Sequence, residues 1–345
     1  MTYTHAQIPM QWVGPLRLRG DIMAEVEAPL ATYETPLWPS VNRGARVSAH
    51  AGGIHITLVD ARMSRSITLQ APDAAQARAA AEAISADIAA LQQVVSETSR
   101  FAQLIEVHPK IIGNLLILRL DFTTGDAAGH NMVTQAADQL IPYLLARYPF
   151  LRYVSISGNF CTDKKVSAVN ALYGRGKYVV AETWLPERLV KRFLKTTPQK
   201  LVALHIKKNL LGSIAAGSLM SANAHAANML LAFYLATGQD AANIVEGSQC
   251  IDHAEVLENG DLYFSTTLPN LIVGTVGNGK GLDFVRDNLA RMGCLQNDTP
   301  GENARRLAGI CAAVVLCGEL SLLAAQTNPG ELMAAHLKLE RQPHE

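Results

Sequence analysis

A chain of 345 residues is long enough for about two domains and a substantial core. Its 30 basic and 30 acidic residues cancel, so charge draws it neither to nucleic acid nor to an anionic membrane. Hydrophobic residues make up 49 % but aromatic ones only 6 %, which leaves the core to Ala, Leu, Val and Ile and favours closely packed helices.

In chain order, Ser66–Gln70 reads as a short strand, and Pro72–Asp73 signals a helix whose Ala-rich pattern runs to about Val95. Two strands, Phe101–Val107 and Asn114–Phe122, a helix, Met132–Arg147, and a strand, Leu151–Ile156, follow. The order β-α-β-β-α-β is the split ferredoxin-like arrangement. The fold class is therefore α+β, with a small domain, 67–155, inserted into a large, mainly helical, discontinuous domain, 1–66 and 156–345. In the flanks, Pro186-Glu-Arg begins an amphipathic turn and Ser213–Ala236 reads as a small-residue helix stopped at Gly238. Strand-like runs cover Asp261–Thr267 and Leu271–Val276, and a long helix runs from Pro300-Gly-Glu-Asn to about Gln326, ended by Asn328-Pro-Gly.

The apolar stretches near 209–237 and 307–325 read as buried helices rather than membrane spans. Asn209, Asn223, His225 and Asn228 interrupt the first, and Glu319 lies inside the second. The five cysteines are odd in number, form no C-x-x-C pair and follow no signal peptide, so a cytoplasmic setting is expected. No His/Cys metal spacing and no G-x-S-x-G elbow occurs.

Ser157-Gly-Asn-Phe-Cys-Thr-Asp-Lys-Lys165 places an acid and two lysines after a Gly-Asn turn, the pattern of a prepared polar site. Gly274-Thr-Val-Gly-Asn-Gly-Lys280 fits the first seven positions of a P-loop, but Gly281 stands where the magnesium-binding Ser or Thr belongs. Asp126-Ala-Ala-Gly-His-Asn131 is a turn before a helix, with Asn131 a candidate N-cap. Taken alone, Glu34 reads as a turn residue, Asp240 as a helix-start acid, His336 as a surface residue and His225 as a core histidine. Cys161, beside Asp163 and Lys164, has the cationic setting of a thiolate.

Together these blocks resemble the catalytic domain of 3-hydroxy-3-methylglutaryl-coenzyme A reductases over nearly the whole chain. The resemblance implies two hydride transfers from NADPH that carry a hydroxymethylglutaryl thioester, through a mevaldyl-CoA hemithioacetal and mevaldehyde, to mevalonate. Lys164 then meets the oxyanion, Glu34, in the block Ala28-Pro-Leu-Ala-Thr-Tyr-Glu, supplies protons, Asp240 couples the two, and His336 protonates the coenzyme A thiolate. Arg65, Ser157, Asp163, Lys165 and Lys208 fall at positions that hold the hydroxymethylglutaryl group. Ser40, Asn42, Arg43, His225 and Asn228 fall at positions that face coenzyme A.

The cofactor positions are Ser99-Arg100-Phe101; Asp126, Gly129, Asn131 and Met132 of the D-A-A-G-H-N turn and helix start; and Gly274, Val276 and Gly277. Ala128 and His130 replace two methionines of the family turn, Asn278 replaces a glycine, and Ala335 replaces the serine before the histidine. A guanidinium at Arg100 suits a 2′-phosphate, so NADPH is expected over NADH. No G-x-G-x-x-G opens a βαβ unit, so a Rossmann domain is not expected.

The resemblance also implies an active site at a subunit interface, hence a dimer or larger assembly, and a catalytic portion without a membrane anchor. The family's E-N-V-I-G segment, which contributes subunit contacts, has no counterpart before Ile8-Pro9-Met10, so a smaller or differently packed oligomer is expected. The alternatives are a family member acting as an inactive binding or scaffold protein, a phosphate-handling enzyme using the loop at Gly274, and NAD-dependent mevalonate oxidation.

Overall fold

Alternating burial along Met10–Gly20 (β1) and Ala24–Ala31 (β2) turns Leu16, Leu18, Ala28 and Leu30 inward and lets the two strands pair antiparallel. In the computed structural model, which describes residue 4 and residues 6–340 without the side chains of 335, 336 and 338–340, they begin a mixed α+β fold. The other strands are Ile54–Gln70 (β3), Gln103–Ile112 (β4), Leu115–Thr123 (β5), Arg152–Ser155 (β6), Gly176–Leu185 (β7), Ile251–Val256 (β8) and Leu262–Leu271 (β9).

The 17-residue β3 serves two sheets. Its first part pairs parallel with β1 and antiparallel with β7, within the order β2-β1-β3-β7-β9-β8. From Met63 onward it pairs antiparallel with β5, and its last residues pair with β6, giving the order β4-β5-β3-β6. Helices Ala74–Ala86 (α2), Ile88–Ser96 (α3) and His130–Arg147 (α4) pack on this second sheet.

Two apolar cores result. One joins β1, β2, β7 and β9 to Leu37–His50 (α1), Ala226–Ala236 and Glu302–Gln326; the other joins β3, β4 and β5 to α2, α3 and α4. Helix Glu302–Gln326 is long and apolar enough to cross a membrane, yet its most apolar stretch is 94 % buried within the protein. Gly44 of α1 lies against its backbone, since a Cβ there would stand 2.2 Å from the carbonyl oxygen of Cys317.

Several expected elements differ. The Ala-rich helix is two helices, because Asp87 breaks it and then caps α3 by accepting the N–H of Ala90. The expected helix Ser213–Ala236 is helical only at Ser213–Ala215 and Ala226–Ala236. Between them Asn223 donates to the carbonyl oxygens of Ser248 and Cys250, and Glu319 accepts the N–H groups of Ala224 and His225, partners a continuous helix could not reach. The expected strand Leu271–Val276 does not form: β9, which takes up the expected run Asp261–Thr267 from Leu262, continues to Leu271, and 272–276 is irregular apart from the bridge at Val276. In the flanks helices predominate, but β1, β2, β7, β8 and β9 lie there beside them.

Candidate active site

The segment 157–165 is fastened to β3. Ser66 Oγ accepts the N–H groups of Gly158 and Cys161, both at 3.1 Å, and a Cβ on Gly158 would stand 2.4 Å from Thr68 Oγ1. Asn159, Thr162 and Lys164 have φ of 54°, 49° and 55°, a region non-glycine residues seldom occupy. Tertiary partners hold that backbone: the N–H of Lys164 donates to Glu246 Oε1 at 3.0 Å, and buried Asn170 donates to the carbonyl oxygen of Thr162.

Lys164 Nζ then reaches Asp240 Oδ2 at 2.8 Å. The hydrogen bond that Lys164 donates to Asp240 raises the Lys164 ammonium above its ordinary range. Burial works to raise the Asp240 carboxyl, but the hydrogen bonds from Lys164 and the N–H of Ala242 outweigh it and leave the group below its usual range. Asp240 also caps the short 3₁₀ turn Ala241–Asn243, as the sequence reading of a helix-start acid expected.

Behind this pair lies a layer that sequence reasoning missed. Arg175, 1 % exposed, donates to Asp163 Oδ1 at 2.8 Å and to the carbonyl and hydroxyl oxygens of Ser64 at 2.6 and 2.9 Å. Its Nε lies 3.5 Å from Glu246 Oε1. Burial tends to raise Asp163, while Arg175 and then His130 overcome this and hold it below the carboxylate range. His130 Nε2 stands 3.6 Å from Asp163, and burial followed by the charge of Arg175 depresses the imidazole. The block Gly174-Arg-Gly-Lys177 was the available signal for Arg175; nothing local marked Glu246.

Ser157 Oγ sits 3.8 Å from Cys161 Sγ, and Lys165 Nζ donates to the carbonyl oxygen of Asp163. Cys161 is buried; burial opposes its ionisation, but hydrogen bonding by Ser66 and the charge of Arg175 lower the thiol overall. Arg65 is half-buried on β3, with its Nε buried and without a hydrogen-bond partner among the described residues.

Glu34 belongs to a second group. Its Oε2 accepts from Asn228 Nδ2 at 2.9 Å, Asn228 meets His225 Nδ1 at 3.3 Å, and His225 Nε2 meets the carbonyl oxygen of Gly318 at 3.1 Å. These residues, Ser40 and Arg43 line a cleft of about 500 Å³. Arg43 pairs with Glu331 at 2.6 Å, and both Ser40 Oγ and Arg43 Nε reach Ser321 Oγ. Asn42 turns elsewhere and accepts the N–H of Gly14. Lys208 joins this side: its Nζ donates to Asn209, burial lowers its ammonium, and Glu319 and Asp252 are its nearby carboxylates. Burial first, then Glu319, push the Asp252 carboxyl well above the usual range. His336 is carried by helix Glu331–Glu340, but its side chain lies outside the described residues. Among the described hydrogen bonds and ion pairs, none joins Glu34 to Lys164 or Asp240.

The two glycine-containing loops lie against each other. A Cβ on Gly274 would stand 2.4 Å from the N of Ala128, Thr275 N–H donates to the carbonyl oxygen of Asp126, and Ala127 bridges Val276. Asp126 Oδ1 accepts the N–H of Ala304. Gly129, with φ of 101°, caps α4, so Asn131 and Met132 lie in its first turn and Asn131 is not the cap. Val276 is 52 % exposed, and Gly277 has φ of 98°. Lys280 turns inward to the carbonyl oxygen of Gly238, away from the role of a P-loop lysine. Beside the Asp126 turn, where a Cβ on Gly125 would stand 3.7 Å from the Phe101 ring, Ser99 Oγ accepts the N–H of Phe101, and the Arg100 guanidinium lies 4.8 Å from the centre of that ring.

Residues 1–341 match the family described as hydroxymethylglutaryl-coenzyme A reductase. The chain belongs to that family. It is 46 % identical over 338 residues to the 3-hydroxy-3-methylglutaryl-coenzyme A reductase of Pyrococcus abyssi, covering 97 % of this chain and 82 % of that protein. With the Aeropyrum pernix enzyme of the same name the identity is 45 %, over 97 % of this chain and 80 % of that protein. The fold is shared with the class II 3-hydroxy-3-methylglutaryl-CoA reductase of Streptococcus pneumoniae, solved bound to NADPH in open conformations, at a TM-score of 0.76 and 20 % identity over 94 % of this chain and 86 % of that one. In this reductase-family chain, β3 anchors the 157–165 loop that carries Lys164 beside Asp240.

Proposed function

We propose that the protein reduces 3-hydroxy-3-methylglutaryl-CoA to mevalonate and coenzyme A with two molecules of NADPH. The carrying observation is the Lys164–Asp240 pair at 2.8 Å, an ammonium kept charged on a backbone anchored by a buried carboxylate. NADPH supplies a hydride at each reduction. Lys164 stabilises the negative charge that develops on the thioester oxygen and later on the aldehyde oxygen, and Asp240 keeps it protonated. Each oxyanion takes up one proton, for which Glu34 is the donor. Collapse of the hemithioacetal breaks the carbon–sulfur bond, its hydroxyl proton returns to Glu34 as the aldehyde carbonyl forms, and the thiolate takes a proton from His336.

The residues present suit the cofactor. Arg100 is exposed and makes no salt bridge among the described residues, leaving its guanidinium for a 2′-phosphate. The close-packed turns at Asp126–Asn131 and Gly274–Gly277 offer backbone at short range to the rest of the dinucleotide. Arg65, its buried Nε without a hydrogen-bond partner among the described residues, joins Ser157, Asp163, Lys165 and Lys208 as the group for the hydroxymethylglutaryl carboxylate. Ser40, Asn42, Arg43, His225 and Asn228 are assigned to the coenzyme A side, with Asn42 the member that points away from the cleft.

The domain division at 67–155 is part of the same reading. Its support is the separate apolar core and the strand order β4-β5-β3-β6, which suits an inserted ferredoxin-like unit. The site is assembled from two copies of the chain in a homodimer or larger homo-oligomer, acting in the cytoplasm. Its support is that Glu34 and Lys164 belong to separate contact groups within one chain.

The test follows NADPH absorbance with hydroxymethylglutaryl-CoA for wild type and Lys164→Ala, with NADH in parallel. Loss of one oxyanion-stabilising group typically costs about 10²–10³ in kcat, and that loss is expected of the variant. No turnover by folded wild type, with either cofactor and in either direction, would overturn the reading in favour of a binding protein.

A further inference from the structure

Glu246 is 0 % exposed and lies at the centre of three contacts. Its Oε1 accepts the N–H of Lys164 at 3.0 Å and Nδ2 of Asn243 at 2.9 Å, and faces Arg175 Nε at 3.5 Å. Asn243 ends the short turn that Asp240 caps, and the N–H of Asn243 donates to the carbonyl oxygen of Asp240. Arg175 in turn holds Asp163, the neighbour of Lys164. One carboxylate oxygen therefore ties together the backbone of the lysine, the turn that carries its carboxylate partner, and the guanidinium behind the loop.

We propose that Glu246 is a positioning residue for the reduction, setting the register of Lys164 against Asp240. The inference rests on the reductase reading above. Three observations favour this role over plain packing. Lys164 sits at a φ of 55°, a conformation that needs an outside partner to persist. Glu246 Oε2 is buried without a hydrogen-bond partner among the described residues, a costly arrangement for a residue kept only to fill space. Burial also raises the Glu246 carboxyl, the expected result of placing it there. The titratable groups around the Lys164 ammonium are Asp240, Asp163, Glu246 and His130. Loosening its link to Asp240 removes the largest influence that keeps it protonated.

The experiment compares Glu246→Leu, Glu246→Gln and Asn243→Ala with wild type. Glu246→Leu has no acceptor; kcat is expected to fall about a hundredfold, as for a displaced reacting group, with KM for NADPH changed less than about threefold. Its alkaline limb should move to lower pH. Glu246→Gln keeps an acceptor oxygen and should recover most of kcat and the limb, while Asn243→Ala should move the limb in the same direction as Glu246→Leu. The Lys164 titration is also read without turnover, by carbon NMR of reductively methylated lysines in the intact protein. A lower Lys164 midpoint in Glu246→Leu that Glu246→Gln, equally uncharged, does not share supports the proposal even if the substrate assignment fails. A wild-type midpoint in folded Glu246→Leu and Asn243→Ala sinks it; if Glu246→Leu does not fold, an unchanged midpoint in Asn243→Ala does so alone.

Discussion

Lys164 is held at both ends, its N–H by Glu246 and its Nζ by Asp240, and each contact has a measurable consequence. Because the Asp240 hydrogen bond is the largest influence raising the ammonium, Asp240→Asn should lower the Lys164 pKa. The active form is the protonated one, so the alkaline limb of the pH–kcat profile should shift to lower pH; a limb that stays in place would show that Asp240 acts otherwise. Arg100 carries a different prediction. A charge-assisted contact to phosphate is worth about 1.5–3 kcal/mol, so Arg100→Ala should weaken NADPH about 10- to 100-fold and NADH far less. Equal losses for both would remove the 2′-phosphate role. At this scale the sequence named Lys164, Asp163 and Asp240 because D-K-K and G-Q-D are contiguous motifs. It could not name Glu246, whose partner lies 82 residues away in the chain.

At the scale of elements, the two loops that meet at Ala127 and Val276 depend on the absence of a side chain. Alanine at Gly274 would put its Cβ 2.4 Å from a backbone nitrogen that has little room to retreat. Gly274→Ala should therefore destabilise the protein by about 1–3 kcal/mol in urea titration and weaken NADPH, the overpacking penalty falling on a site-forming contact. Unchanged stability and affinity would mean that the loops part without consequence. The elements most legible in the sequence were those with local punctuation. Asp73 caps α2 through its own carboxylate, and helix Glu302–Gln326 starts after Pro300-Gly and ends before Asn328-Pro-Gly. The segment 216–225 was not legible, because Glu319, some 95 positions later, accepts its N–H groups.

At the scale of the molecule, the expected catalytic set divides into Lys164 with Asp240 and Glu34 with Asn228 and His225. If one copy completes the other, a Glu34→Gln chain and a Lys164→Ala chain, each inactive alone, should regain about a quarter of wild-type activity after mixing and reassociation, since half the dimers are hybrid and each hybrid holds one intact site. No recovery, with hybrids demonstrated by mass spectrometry, would place both groups in a single chain.

The sequence by itself determined the family, the α+β class, the order of elements from Ser66 to Ile156 and the local motifs that carry Lys164, Asp240 and the glycine loops. Each rests on contiguous residues, where periodicity, capping and motif spacing operate. Only the tertiary structure decided that one long strand, β3, serves both sheets, that β1, β2, β7 and β8 join the flanking helices, and that Glu246 and Arg175 underlie the lysine. Those features depend on pairings between residues far apart in the chain, and a strand or a buried charge shows its partner only after the fold has brought the two together.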